Sequence, residues 1–181
     1  DWRGEGSALG NLGTAHLALG DAHKAIEFFE QHLIIAREIG DRKGEGAALG
    51  NLGIARFNLG DARKAINFYE QALAVGREIG DRRGEGNSLG NLGNAHAALG
   101  DARKAIELYE QGLVIDREIG DLRGEATDLW NAALAHDSLT HRPEAIARAT
   151  AALAIFEAVE DPNAAKVRTK LADWRDVGPS S

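Results

Sequence analysis

Cysteine is absent from the 181 residues. That excludes disulfides, thiolate zinc sites and cysteine nucleophiles, and leaves the redox compartment open. Proline occurs only three times, even beside 22 glycines, which excludes a collagen-like or low-complexity disordered chain. A surplus of positive charge is also missing. The formal charge is -7, and lysines and arginines are interleaved with acids. Phosphate-backbone binding needs a cationic face, so nucleic acid is not expected as a partner. Apolar runs are only a few residues long, far short of a membrane span, so no membrane is expected either. The chain opens Asp1-Trp2-Arg3, without an initiator Met or a signal-like apolar stretch. Such a start is expected of a piece of something longer.

What the chain does have is a repeat. Gly10-Asn11-Leu12-Gly13 returns as Gly50-Asn51-Leu52-Gly53 and Gly90-Asn91-Leu92-Gly93, with a worn copy at Trp130-Asn131-Ala132-Ala133, each 40 residues after the last. Residues 41–80 and 81–120 share 27 of 40 positions. Each period holds two helix patterns. Gly60-Asp61 and Gly80-Asp81 punctuate the second period, glycine ending one helix in the left-handed conformation and aspartate capping the next. Ala62, Ala65, Ile66, Tyr69, Ala72, Leu73 and Val75 follow the spacing of one buried helical stripe, and no segment alternates with period two. Helix pairs that cannot bury both apolar faces alone do so by stacking. The expected fold is an all-α solenoid with repeats at about 1–40, 41–80, 81–120 and 121–160. Ala164, Val167, Leu171 and Trp174 form one stripe of a capping helix at about 162–175, and residues 177–181 are expected to fray. The whole of 1–176 reads as a single domain.

The stretch Asn91-Leu92-Gly93-Asn94-Ala95-His96, followed by Gly100-Asp101, Ala105-Ile106 and Tyr109-Glu110-Gln111-Gly112-Leu113, resembles a tetratricopeptide repeat. The small-residue positions fall on Gly93, Ala105 and Gly112 and the large ones on Leu92 and Tyr109. The period of 40 exceeds the family's usual ~34. The usual tyrosine is replaced by His16, Arg56, His96 and His136, and the closing proline by Arg37, Arg77 and Arg117. The long-repeat branch is the better match, similar to kinesin light chain, the Pins/LGN adaptors and bacterial arrays attached to signalling ATPases or caspase-like proteases. The resemblance implies a right-handed solenoid, a cytoplasmic protein-interaction module and no cofactor. The alternative is a regulatory or oligomerisation arm of a larger signalling ATPase or protease.

The residues themselves carry little chemistry. Gly44-Glu45-Gly46-Ala47-Ala48-Leu49-Gly50 superficially matches a dinucleotide-binding loop, but no strand precedes it. His16, His96 and His136 share one repeat position, about 10 Å apart per repeat, too far to converge on one metal. Neither a helical HExxH pair nor a serine with a local base is present, so no enzyme is expected. Arg37, Arg77 and Arg117, each four residues before Asp41, Asp81 and Asp121, read as i,i+4 and inter-repeat ion pairs.

The asparagine ladder stands apart. Asn11, Asn51, Asn91 and Asn131 sit mid-helix in every repeat, where asparagine is a poor choice. The resemblance places them on the inner groove, where an amide offers donor and acceptor together to a peptide backbone. An inter-repeat hydrogen bond is the structural alternative. By the same mapping the groove is lined by Ser7, Ala47, Asn87 and Thr127; Thr14, Ile54, Asn94 and Leu134; Leu17, Phe57, Ala97 and Asp137; and Ala18, Asn58, Ala98 and Ser138. The expected lining is small and neutral. Peptide contacts are expected from the ladder and from Asn87, Asn94, Ile54, Phe57 and Asn58. Trp130 replaces Gly10, Gly50 and Gly90 and is expected to line the groove as an anchor, the other possibility being packing against Leu171 or Trp174. End-to-end self-association through an uncovered first helix pair is also expected.

Overall fold

A computed structural model describes residues 2–176. The expected frayed end at 177–181 lies outside the described residues. Among the described residues nine helices follow one another: α1 Trp2–Ala18, α2 Ala22–Glu38, α3 Arg42–Asn58, α4 Ala62–Ile79, α5 Arg82–Ala98, α6 Ala102–Ile119, α7 Leu122–Ser138, α8 Arg142–Ala158 and α9 Asn163–Asp176. Among the described residues there is no strand.

The turns explain the register. Asp21, Asp41, Asp61, Asp81, Asp101 and Asp121 each accept a hydrogen bond from the backbone N–H three residues on, at 2.9–3.1 Å. This satisfies one of the free donors of each helix start. The glycine before each aspartate has φ between 69° and 83°, a conformation in which a side chain is strained. Thr140 and Glu160 take the same positive φ without being glycine, at the two turns where the repeat has worn. There His141 makes no side-chain cap, and Pro143 stabilises the first turn of α8 instead.

Packing within a pair rests on a hole and a plug. Phe29, Tyr69 and Tyr109 are almost wholly buried, 0–2% exposed. Their rings press on Gly13, Gly53 and Gly93, where an added methyl group would come within 2.5 Å of Phe29 Cε1 and of Tyr69 Cδ1. Glycine is therefore required by contact rather than by backbone angle. In the fourth pair the same two positions are Ala133 and Ala149, both at 0% exposure: the plug shrinks and the hole fills.

Each helix packs on the next, and α1, α3, α5 and α7 also touch in series. No comparable contact joins the even-numbered helices up to α8. The array therefore curves, with the odd helices on the inner, concave face. Its C-terminal end is closed by α9, whose Ala164, Val167, Leu171 and Trp174 are buried against α7 and α8.

Trp130 belongs to that closure, and the expectation that it lines the groove is corrected here. Its indole is 7% exposed and lies in one core cluster with Ala149, Ala152 and Leu171. The ring centroid is 6.0 Å from that of Trp174. Ala149 on α8 leaves the space that Phe29, Tyr69 and Tyr109 fill in the earlier pairs, and the ring turns inward.

Candidate functional site

The inner face carries a chain of cavities, and the asparagine ladder runs through it. Asn11 lines the first, of about 350 Å³, with Ser7, Thr14, His32, Lys43 and Asn51. The next, about 550 Å³, is bounded by Asn51, Ile54, Asn87 and Asn91. A third, about 420 Å³, is lined by Asn87, Asn91, Asn94, Thr127 and Asn131. The last, about 550 Å³, takes in Phe57, Asn94, Asn131, Leu134 and Ser138. Asn58, Ala18 and Ala98 are exposed near the ends of their helices and line none of the four. Asp137 is turned away, accepting from Trp174 Nε1 at 3.1 Å and pairing with Arg142 at 2.9 Å.

The four ladder amides are not equivalent. Asn131 Nδ2 donates to Asn94 Oδ1 at 3.1 Å, and the same oxygen accepts from the Tyr109 hydroxyl at 2.8 Å. Here the amide serves as an inter-repeat tie. Asn11, Asn51 and Asn91 make no side-chain hydrogen bond among the described residues, and their amides are open to the groove. The Tyr109–Asn94–Asn131 tie was not legible beforehand, because it joins positions in three helices.

The lining is less neutral than expected. Lys43, Asp81, Arg83, Asp116, Asp121, Arg123 and Asp128 all contribute to it. Burial and the nearby charge of Asp116 push Asp128 up to about 8. Burial, with Asp121 and Glu125 near, raises Asp116 to about 6, against the lowering influence of Arg83. The available sequence signal was that 116 and 128 depart from Gly76 and Ser88 in the preceding repeat.

The charged ladders are tied differently from the i,i+4 expectation. Arg37, Arg77 and Arg117 reach eight residues on to Glu45, Glu85 and Glu125, at 2.8, 3.0 and 2.6 Å. The aspartates expected as their partners are helix caps. Arg42 joins Glu45 to Glu78, and Arg82 joins Glu85 to Glu118, tying the two helices of one repeat together, while the Arg37, Arg77 and Arg117 pairs cross to the next repeat. Burial disfavours the Glu45 charge, yet hydrogen bonds from Arg37 and Arg42 hold its carboxyl below the ordinary value. These stitches leave the outer edge self-neutralised.

The histidines serve their own turns. His16 and His96 lie 3.6 and 3.7 Å from Asp21 and Asp101, and the His136 ring lies beside that of His141. Among the described residues no cluster of three or more His, Asp or Glu is placed to hold a metal. No described helix is long and apolar enough to cross a membrane.

A family model described as tetratricopeptide repeat matches residues 4–78, 46–118 and 84–158. The chain belongs to the tetratricopeptide repeat family. Tetratricopeptide repeats are generally protein-interaction modules. No curated protein sequence matches the chain. Among solved structures, aspartyl phosphate phosphatase F from Bacillus subtilis superposes with a TM-score of 0.88 at 12% identity, covering 98% of this chain and 46% of the phosphatase. Kinesin light chain-like repeats from Podosopora anserina give 0.77 at 20% identity, covering 94% of this chain and 85% of theirs. A Pyrococcus horikoshii signal transduction ATPase with numerous domains, bearing a tetratricopeptide repeat sensor, gives 0.83 at 20%, covering 92% of this chain and 26% of the ATPase. The chain thus spans under half of the phosphatase and about a quarter of the ATPase. At these identities the likeness concerns the fold.

Proposed function

We propose that the concave face is a non-enzymatic receptor for an extended segment of a partner protein. Asn11, Asn51 and Asn91 hold the segment's backbone, while Ile54, Phe57, Asn87 and Asn94 contact its side chains. One observation carries this reading: three ladder amides line successive cavities and make no bond within the described protein. An open amide gives a peptide unit both a donor and an acceptor, and repetition about 10 Å apart matches about three extended residues per step. A peptide selected on the whole chain from a random display library serves as the probe. Asn51→Ala with Asn91→Ala removes two contacts of about 1 kcal/mol each, weakening that peptide by tens-fold with melting unchanged. Lost stability with intact binding refutes the reading.

A second reading, a stacking or oligomerisation arm, is favoured by α1. Leu12 is 46% exposed, whereas Leu52 and Leu92 at the same repeat position are 0% and 3% exposed beneath the preceding repeat. Trp2 is 60% exposed as well. End-to-end association through this face predicts a sedimentation coefficient that rises with concentration and stops rising in Leu12→Asp. A strict monomer at millimolar concentration rules it out.

A further inference from the structure

The third cavity of the groove has a floor unlike the others. Asp116 is 7% and Asp128 6% exposed, both line the cavity, and neither carboxylate has a hydrogen bond or ion pair among the described residues. The nearby arginines are engaged elsewhere: Arg83 Nη1 donates to Asp121 at 2.9 Å, and Arg123 lies 3.8 Å from Asp161. Two buried, unanswered carboxylates are costly to a fold. The surroundings have been shaped to admit them. Asp128 stands where the earlier repeats have Ala8, Ala48 and Ser88, and Asp116 where the first two have Ala36 and Gly76. Gly112, where the second repeat has Ala72, leaves the room the Asp128 carboxylate occupies; a methyl group there would collide with Oδ2. Gly90 and Gly124, positions that are glycine in the earlier repeats as well, also border the acids, since methyl groups on them would come within 3.0 Å of Asp128 Oδ1 and 2.8 Å of Asp116 Oδ2.

Building on the peptide-groove reading, we propose that Asp116 and Asp128 form a subsite for the cationic side chain of a basic residue in the bound segment. A guanidinium suits the site best, because its planar fork of five donors pairs bidentately with carboxylates and sheds water more readily than a compact ammonium with three donors. The ladder amides Asn91 and Asn131 line the same cavity, so the backbone and side-chain contacts fall on neighbouring residues of the segment. The charge lost from water on entering is answered on the protein side, and the carboxylates gain the partners they lack. Specificity follows, since a neutral isostere would leave both acids unpaired.

The test titrates the whole chain with N-acetylargininamide, N-acetylcitrullinamide and calcium chloride, followed by the backbone amide resonances of Gly90, Gly112 and Gly124. The argininamide should shift them saturably at pH 8.5 and bind at least tenfold more tightly than the citrulline analogue. Asp128→Ser with Gly112→Ala restores the pair that stands one repeat earlier at Ser88 and Ala72, so it keeps the fold and should abolish the shifts. Equal response to citrulline, retained binding in the double variant, or saturation by calcium alone overturns the subsite. Groove peptides selected from a display library separate the two proposals. Binders indifferent to arginine-to-citrulline exchange refute the subsite and leave the groove. Saturable argininamide binding without any peptide binder supports the subsite and refutes the groove reading.

Discussion

Gly53 and Gly50 lie one turn apart on α3, yet alanine should have opposite effects at the two positions. In a helix interior alanine is favoured over glycine by about 1 kcal/mol. At Gly50 an added methyl group meets nothing within 4 Å, so that gain is realised in full. At Gly53 it would come within 2.5 Å of Tyr69 Cδ1, and the ring, 2% exposed, has nowhere to go. Overpacking of this kind costs about 1–3 kcal/mol. The net result for Gly53→Ala is a loss of up to about 2 kcal/mol, placing the two variants about 1–3 kcal/mol apart. At about 2–4 °C per kcal/mol for a chain of this size, their melting temperatures should differ by about 2–12 °C. The fourth pair supplies the rescue. Ala133 facing Ala149 shows that alanine fits once the aromatic plug is gone. Tyr69→Ala alone opens a cavity costing about 3–5 kcal/mol. Combined with Gly53→Ala, the total should fall short of the sum by about 1–3 kcal/mol, because the clash has vanished. Thermal and denaturant melts of the four proteins close the cycle. Additivity within ~0.5 kcal/mol, or equal stability of Gly50→Ala and Gly53→Ala, would refute the plug-and-hole account.

Trp130→Ala should lower stability by about 3 kcal/mol or more, with a clear drop in melting temperature, because the indole fills the core beside Trp174; melting within 1 °C or so of the wild type would place the ring outside the core. Asp128, pushed up to about 8 in the fold, keeps a proton that the unfolded chain releases near pH 4, so its contribution makes stability fall as pH rises from about 4 to about 8. Asp128→Ala should therefore gain about 2 kcal/mol or more at pH 9 and little at pH 4, and a gain independent of pH would show that the carboxyl is not buried as described.

Asparagine, glycine and aspartate together show how much of this molecule can be read without coordinates. The 40-residue recurrence sets the helix boundaries, since each Gly-Asp pair closes one helix and caps the next through contacts only three residues apart. Short-range chemistry of that kind is written in the order of residues. The buried stripe of α4 and the stripe of α9 follow from 3.6-residue periodicity for the same reason. The groove position of the ladder came from family resemblance, and the difference between Asn131, tied to Asn94, and the open Asn51 and Asn91 did not.

What only the tertiary structure decided are the matters that depend on helices distant in sequence. Trp130 is read from its own position as a bulky intruder on a groove of glycines. Its fate depends on Ala149 of α8 and on Trp174 of α9, which lie one and two helices further along the chain. The arginines of the outer edge pair eight and 36 residues away, because turns and stacking bring glutamates nearer than the aspartates engaged as caps. Asp116 and Asp128 look like two more surface acids in a chain with 28. Their burial, the glycines that border them and their lack of partners emerge only when α5, α6 and α7 are packed together. Local sequence specifies where each helix starts, stops and turns its apolar side. Which side chains share a cavity is a property of the stack, because small residues on one repeat set the space available to the next.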